Sequence, residues 1–363
     1  MRGGSPPGRR VRAGALVVGA GLLLGGVFVG ANVCSADGPP PLWTAEDLDT
    51  EVADSDNGWS LVVTANDVEI PEPLRALIEA SDHEAEQFWA DADQQAEALR
   101  AFLATGTARD ASERFDLARS RPEFVDVCPL GDPCLVVEWR DLHRVAVLRA
   151  IGLATAGDAA DASLLLRDLI RMDVAHLDSA RGAFSFLVAR ANLQEALTQA
   201  DRLALRLGQR ERSAATSAAL TELAQVVRAV DIEAINLQRV VITEYLFHVR
   251  ALERLEGGDA ELLDRVDSPR AIGWAFDRGQ TLHSLNERFE ARYQAAAAHD
   301  TAAALGASED SPKQQFMWWL RNPVGKLYLD ATIIDSDWKI DANLEELGRT
   351  QTRLLARPVL AQL

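Results

Sequence analysis

Glu244 and His248 stand four residues apart in Thr243-Glu244-Tyr245-Leu246-Phe247-His248. On a helix that spacing puts a carboxylate and an imidazole on one face. Such a pair supplies two metal ligands, but a zinc site needs about four, and no His-x-x-x-His or second matching pair accompanies it. A buried histidine beside a carboxylate one turn away is the expected role. In Glu138-Trp139-Arg140-Asp141-Leu142-His143, Asp141 and His143 offer an acid and a base with Arg140 beside them. Together with Arg144 and Arg149, however, Arg140 and Asp141 read as a solvated helix face. Ser185, in Gly182-Ala183-Phe184-Ser185-Phe186, lacks the Gly-x-Ser-x-Gly elbow of a nucleophile and is expected to be a small helix-packing residue. In Asn322-Pro323-Val324-Gly325-Lys326, Gly325 permits close backbone approach and Lys326 could meet an anion. The glycine and lysine spacing of a phosphate loop is missing, so a helix corner is expected there. No dinucleotide fingerprint, EF-hand loop or zinc-protease helix is present. The sequence therefore assigns no catalytic, cofactor-binding or metal-ligating residue and no cofactor.

Cys128 and Cys134 bracket Pro129-Leu130-Gly131-Asp132-Pro133, whose prolines and glycine favour a turn that brings the thiols together. A redox pair has two intervening residues rather than this run. The expectation is a structural disulfide, Cys128 to Cys134, contributing about 2 kcal/mol by restricting the unfolded chain. That presupposes an oxidising compartment, and the N-terminus points to one. Residues 1–12 carry Arg2, Arg9, Arg10 and Arg12 and no acid. The uncharged run Ala13 to Val33 follows, long enough as a helix to cover about 31 Å. Arginines before it and none just after predict a cytoplasmic N-terminus and an exported remainder. The run is longer than a cleavable signal usually needs, so residues 13–33 read as a transmembrane signal-anchor. Two alternatives stay open, a signal cleaved after Ala36 and a lipoprotein at Cys34, although Ala31-Asn32-Val33 departs from the usual lipobox. All three export the bulk of the chain. Gly21-x-x-x-Gly25 and Gly26-x-x-x-Gly30 reflect frequent glycine more than a specified pairing of membrane helices.

The chain has 363 residues, with 37 basic and 55 acidic side chains and a net charge of −18. Beyond residue 12 the balance is 33 basic to 55 acidic, a net −22. That excess of acid argues against nucleic-acid binding, which needs basic residues to replace counterions, and against docking of the folded part on anionic lipid. It is compatible with a cationic partner.

The elements that would position these residues are helices. Residues 34–70 are rich in proline and acid and are expected to form a linker, with Gly38-Pro39-Pro40-Pro41 as an extended spacer. Trp59 to Val68 is the one early stretch with strand-like content. From Pro71 the apolar residues recur at steps of three and four. A capping box at Ser81-Asp82-His83-Glu84 opens one helix, carrying Phe88, Trp89, Ala92, Leu99 and Phe102, that Gly106 should stop. Further helices are expected from Glu138 to Gly157, Ala159 to Met172, Ser179 to Leu207, and Ser213 to Leu255 with a break near Asp231. Ser268-Pro269 and Ser311-Pro312 read as helix starts, and residues 341–354 as a last helix. Of the tryptophans, the adjacent Trp318 and Trp319 cannot both face one core stripe, so one is a candidate interface residue.

Ala154-Thr155-Ala156-Gly157-Asp158, followed by Ala162 and Leu165, resembles a tetratricopeptide hairpin, but no 34-residue period is sustained. Arg321-Asn322-Pro323-Val324-Gly325-Lys326-Leu327, preceded by Phe316, Trp318 and Trp319, resembles a motif of uncharacterised helical bacterial envelope proteins. The resemblance implies export and helicity and carries no activity. The expectation is an all-α chain, with residues 71–363 as an exported domain: an irregular antiparallel helix-pair bundle or α/α solenoid, tetratricopeptide-like in part. Its expected function is that of a membrane-anchored scaffold or adaptor binding protein partners in the bacterial envelope. An envelope enzyme with a dispersed carboxylate and histidine site, or a small-ligand-binding protein, is the alternative.

Overall fold

The computed structural model describes residues 38–48, 52–63, 68–79, 85–128, 136–208, 212–232, 235, 237–256, 277–304 and 340–361. Among them the regular elements are helices, with one isolated parallel bridge between Asn57 and Glu123. After a 3₁₀ turn at Ala45–Leu48 come α1 (Trp59–Val62), α2 (Glu72–Glu79), α3 (Ala85–Gln94), α4 (Ala96–Leu103) and α5 (Gly106–Arg119). The long helices are α6 (Val136–Ala156), α7 (Ala159–Ser179), α8 (Ala183–Gly208), α9 (Ala214–Ala229), α10 (Gln238–Glu256) and α11 (Arg278–Ala297). Short α12 (Thr301–Ala304), then α13 (Ile340–Leu355) and α14 (Pro358–Ala361), complete the set.

The centre is α7, which packs on α6, α8 and α9. It meets α6 through the turn that resembled a tetratricopeptide hairpin. Gly157 there has φ +95°, a left-handed conformation open to glycine at low cost. Asp158 N–H reaches Leu153 C=O at 2.9 Å and Gly157 N–H reaches Ala154 C=O at 3.4 Å, the double bond of a Schellman stop. Helix α8 is buried along most of its length because α6, α7, α3 and α13 all lie against it. α10 and α11 pair beside this group.

Several expectations are corrected. Trp59–Val62 is helical rather than strand-like. Asn57 Oδ1 accepts from Trp59 N–H at 3.0 Å and opens the turn, and Trp59 and Val62, three apart, are both buried as one helix face allows. The helix expected to run unbroken from the capping box bends at Gln95, so that α3 faces α8 while α4 faces α6. Gly106 begins α5 instead of ending its predecessor, because Thr105 caps it, accepting from Ala108 N–H at 3.4 Å. α7 runs one turn and more beyond Met172, carrying Asp173, His176 and Ser179. The break near Asp231 is present, between α9 and α10.

Much of the stretch expected as a linker is packed. Leu48 and Trp59 are core residues. Trp43 stacks edge-on against Tyr245, with centroids 5.1 Å apart. The Tyr245 hydroxyl accepts from Leu42 N–H at 2.8 Å and donates to Asn286 Oδ1 at 2.7 Å, and Asn286 Nδ2 donates to Pro40 C=O at 3.0 Å. The tryptophans of this acidic stretch supply the apolar area that a free spacer lacks.

Among the described residues no helix is long and apolar enough to cross a membrane. The run 13–33, Cys34, the capping box 81–84, Cys134, Ser268-Pro269, Ser311-Pro312, the Asn322–Lys326 segment and Trp274, Trp318, Trp319 and Trp338 all lie outside the described residues.

Candidate functional site

The chemistry-bearing side chains collect at the corner between α7 and α8. Asp126, in the segment before the cysteine loop, is fully buried there. Its Oδ2 accepts from Ser185 Oγ at 2.7 Å and from Arg181 N–H at 2.9 Å, and its Oδ1 from Cys128 N–H at 3.0 Å. Its own N–H donates to Ser179 Oγ at 3.0 Å, and that hydroxyl donates to Ala175 C=O at 2.7 Å. Burial pushes the Asp126 carboxyl above its usual range, against the pull of Arg181, Ser185 and Cys128. His176 Nε2 lies 2.8 Å from Ser185 Oγ. The imidazole is fully buried, which drives its pKa down to about 3, with His143 adding to the shift.

These residues are a serine, a histidine and an aspartate, but their order differs from that of a nucleophilic triad. There the histidine stands between serine and carboxylate, takes the serine proton, and is oriented through its other nitrogen. Here the serine stands between the other two. Its single hydroxyl hydrogen goes to Asp126, so His176 Nε2 must carry the hydrogen of the Ser185–His176 contact. His176 Nδ1 has no hydrogen-bond partner. A serine already donating to a carboxylate, facing an N–H, and 3% exposed has neither a base nor an open path to substrate. The arrangement fastens the Glu123–Cys128 segment to the corner.

Other polar groups fasten the same corner. Arg181 donates to Cys128 C=O at 2.9 Å and Leu48 C=O at 3.1 Å, and Arg239 donates to Ser179 C=O at 3.1 Å and Leu48 C=O at 2.7 Å. Glu244 Oε1 accepts from Ala183 N–H at 2.8 Å, closing the start of α8 onto α10. Burial raises the Glu244 carboxyl, with Ala183 N–H and Arg292 acting the other way. Gly182, at φ +93°, makes the turn. Its missing Cβ would lie 3.2 Å from Glu244 Oε1, so the carboxylate sits close against the backbone.

The residues singled out in the sequence thus separate. Glu244 serves the α8 terminus, while His248 packs its ring 5.5 Å from that of Phe289. Burial lowers the His248 pKa to about 4, with Arg292 and Arg288 contributing. Among the described residues no three His, Cys, Asp or Glu side chains gather as metal ligands. The Arg140 to Arg149 face is not solvated as expected. Arg140 reaches Asn192 at 2.9 Å, Arg144 reaches Glu79 at 3.0 Å and Arg149 reaches Asp116 at 2.8 Å, each across to another helix. His143 is fully buried and meets Asp173 Oδ2 at 2.9 Å. Burial raises the Asp173 carboxyl, and His143 counteracts. Trp59, Phe124 and Trp139 enclose both histidines. Trp59 lies 4.4 Å and Phe124 6.5 Å from the His176 ring, and Trp139 lies 5.7 Å from that of His143. Asp126, Asp173 and His176 escaped the sequence reading. The one available signal was His176, three residues after Asp173 and three before Ser179 and so on one helix face with both, beyond the expected helix end.

A second polar feature is a cleft of about 550 Å³ between α2, α6, α8 and α13. Its walls include Arg140, Arg144, Glu195, Gln199 and, from α13, Arg349 and Arg353. Cys128 is buried, and the bridge expected to Cys134 falls outside the described residues. Comparison of the chain with protein-family models, with curated proteins and with solved structures gave no match.

Proposed function

We propose that the chain is a membrane-anchored, exported helical scaffold that holds a protein partner in the bacterial envelope. The observation that carries this reading is a pair of exposed aromatic side chains at a rigid junction. Phe184 is 58% exposed and Phe247 52% exposed. Phe184 follows Ala183, and Phe247 lies one turn after Glu244, the two residues whose hydrogen bond ties α8 to α10. Exposed aromatics on a fixed frame bury much area at little entropic cost when a partner covers them. The fold is read as an irregular helix-pair bundle rather than a solenoid, because α3 and α13, distant in sequence, both close on α8.

The basic segment and the 13–33 run support the anchor, and the likeness of Arg321–Leu327 to helical envelope proteins supports export. Since Pro40 is already tied to Asn286, an anchor ending at Val33 leaves a tether of no more than about 25 Å. The α10–α11 pair would then sit close to the bilayer surface. The test is cross-linking and C-terminal-tag purification from native membranes, comparing the wild type with the Phe184→Ser/Phe247→Ser double variant. A stoichiometric partner held by the wild type and lost by a folded variant supports the scaffold. No stoichiometric partner, or one held equally by both, overturns it.

A further inference from the structure

We propose that the cleft between α2, α6, α8 and α13 binds a small zwitterion of the amino-acid class, its ammonium at Glu195 and its carboxylate at Arg349. The proposal goes beyond the scaffold reading and does not depend on it. The cleft's volume, about 550 Å³, is within the range of small-molecule sites. Its polar groups decide the ligand. Of the four arginines on its walls, three already hold acceptors. Arg140 donates to Asn192 Oδ1 at 2.9 Å, Arg144 to Glu79 Oε1 at 3.0 Å and Arg353 to Asp201 Oδ2 at 3.1 Å. Arg349, exposed on α13, has no ion-pair partner among the described residues.

The α8 wall has the opposite deficit. Glu195 is 11% exposed, its Oε2 stands 3.9 Å from Arg140, and its Oε1 accepts nothing. Gln199, 3% exposed on the same wall, also has an Oε1 with no donor. At 3.9 Å the Arg140 pair is too long for a hydrogen bond, and a ligand N–H at Glu195 Oε2 would supply one. A carboxylate held only by a long ion pair to Arg140 and a cation without an ion pair, on the walls of one cleft, match a molecule carrying both charges. A simple anion leaves Glu195 unsatisfied. A second positive group on the ligand would meet Arg349 as a like charge.

The test is isothermal titration calorimetry on the full chain with each of the twenty L-amino acids, at up to about 10 mM so that millimolar binding registers. N-acetyl and carboxamide forms of any binder follow. The expected result is saturable binding of at least one amino acid, weakened roughly 10-fold or more by Glu195→Gln and by Arg349→Ala, as loss of a charged hydrogen bond implies. Glu195→Gln keeps the shape of the side chain and Arg349 is exposed, so both variants retain the fold, checked by circular dichroism. Removing either ligand charge should weaken binding to the same degree. No binding by any of the twenty, or binding indifferent to both variants or to both blocked forms, overturns the proposal.

Discussion

Replacing Asp126 by alanine removes one side chain and strands three donors. Ser185 Oγ, Arg181 N–H and Cys128 N–H all end on that carboxylate at 2.7–3.0 Å, in a place water does not reach. A buried donor left without an acceptor costs about 1–3 kcal/mol. Ser185 can recover part of this by turning its hydrogen to His176 once the imidazole changes tautomer, but the two backbone N–H groups have no alternative. The expected loss for Asp126→Ala is therefore about 3–5 kcal/mol. Asp126→Asn keeps one oxygen but turns an amide NH₂ toward a donor, so about 2–3 kcal/mol is expected. Ser185→Ala strands only the His176 N–H and should cost about 1–2 kcal/mol. The assay is urea unfolding followed by circular dichroism, with the slope compared across variants to exclude changes in the unfolded state. The order Asp126→Ala, Asp126→Asn, Ser185→Ala is the point of the series. A loss below about 1 kcal/mol for Asp126→Ala, or Ser185→Ala as the worst of the three, would refute the structural reading of this network.

Two further outcomes follow from the buried histidines and the cysteine loop. His176 and His248 are held down to about 3 and about 4 in the folded chain, from 6.5 when free. Above pH 6.5 neither state binds these protons. Below it the unfolded chain takes them and the folded one does not, so stability falls, by about 3 kcal/mol for the two together between pH 6.5 and 5. Asp126, Asp173 and Glu244, raised by burial, act in the opposite direction as the pH drops. A urea midpoint that falls over this range shows the histidines prevailing, whereas a rising midpoint sinks the argument. For the loop, protein isolated without reductant and alkylated after unfolding should show Cys128 and Cys134 blocked to the reagent, and two free thiols there would end the disulfide expectation.

The helices were legible because their signals are local. Apolar steps of three and four, the Gly157 stop and the Ser213 cap, which accepts from Thr216 N–H at 3.1 Å, each act over a few residues. What stayed hidden depends on distant partners. The 34–70 stretch reads as a linker because its proline and acid content describes a solvated chain. Only Tyr245 and Asn286, some two hundred residues on, make Pro40 and Leu42 part of the body. The Arg140–Arg149 face looked solvated because charge on one helix says nothing of the acid on the next. The same limit applies to Asp126, an acid in a loop whose three donors lie at positions that no spacing rule connects.

A constellation of serine, histidine and aspartate invites a catalytic reading by composition alone, and here the direction of the protons decides against it. As a carboxylate, Asp126 accepts from Ser185, Arg181 N–H and Cys128 N–H, and reversing the chain would require that carboxyl to be protonated and to donate to Ser185 instead. The network is satisfied at the carboxylate and closed to solvent, so its free energy is spent within the fold. Groups open to a partner or ligand are found elsewhere: the exposed Phe184 and Phe247 rings at the α8–α10 junction, and Glu195 with Arg349 on the walls of the cleft. A partner or ligand gains free energy only where the folded chain has left apolar area or charge uncompensated. On that ground the buried hub explains why this corner holds its shape, and the exterior of the same helices is where binding should be sought.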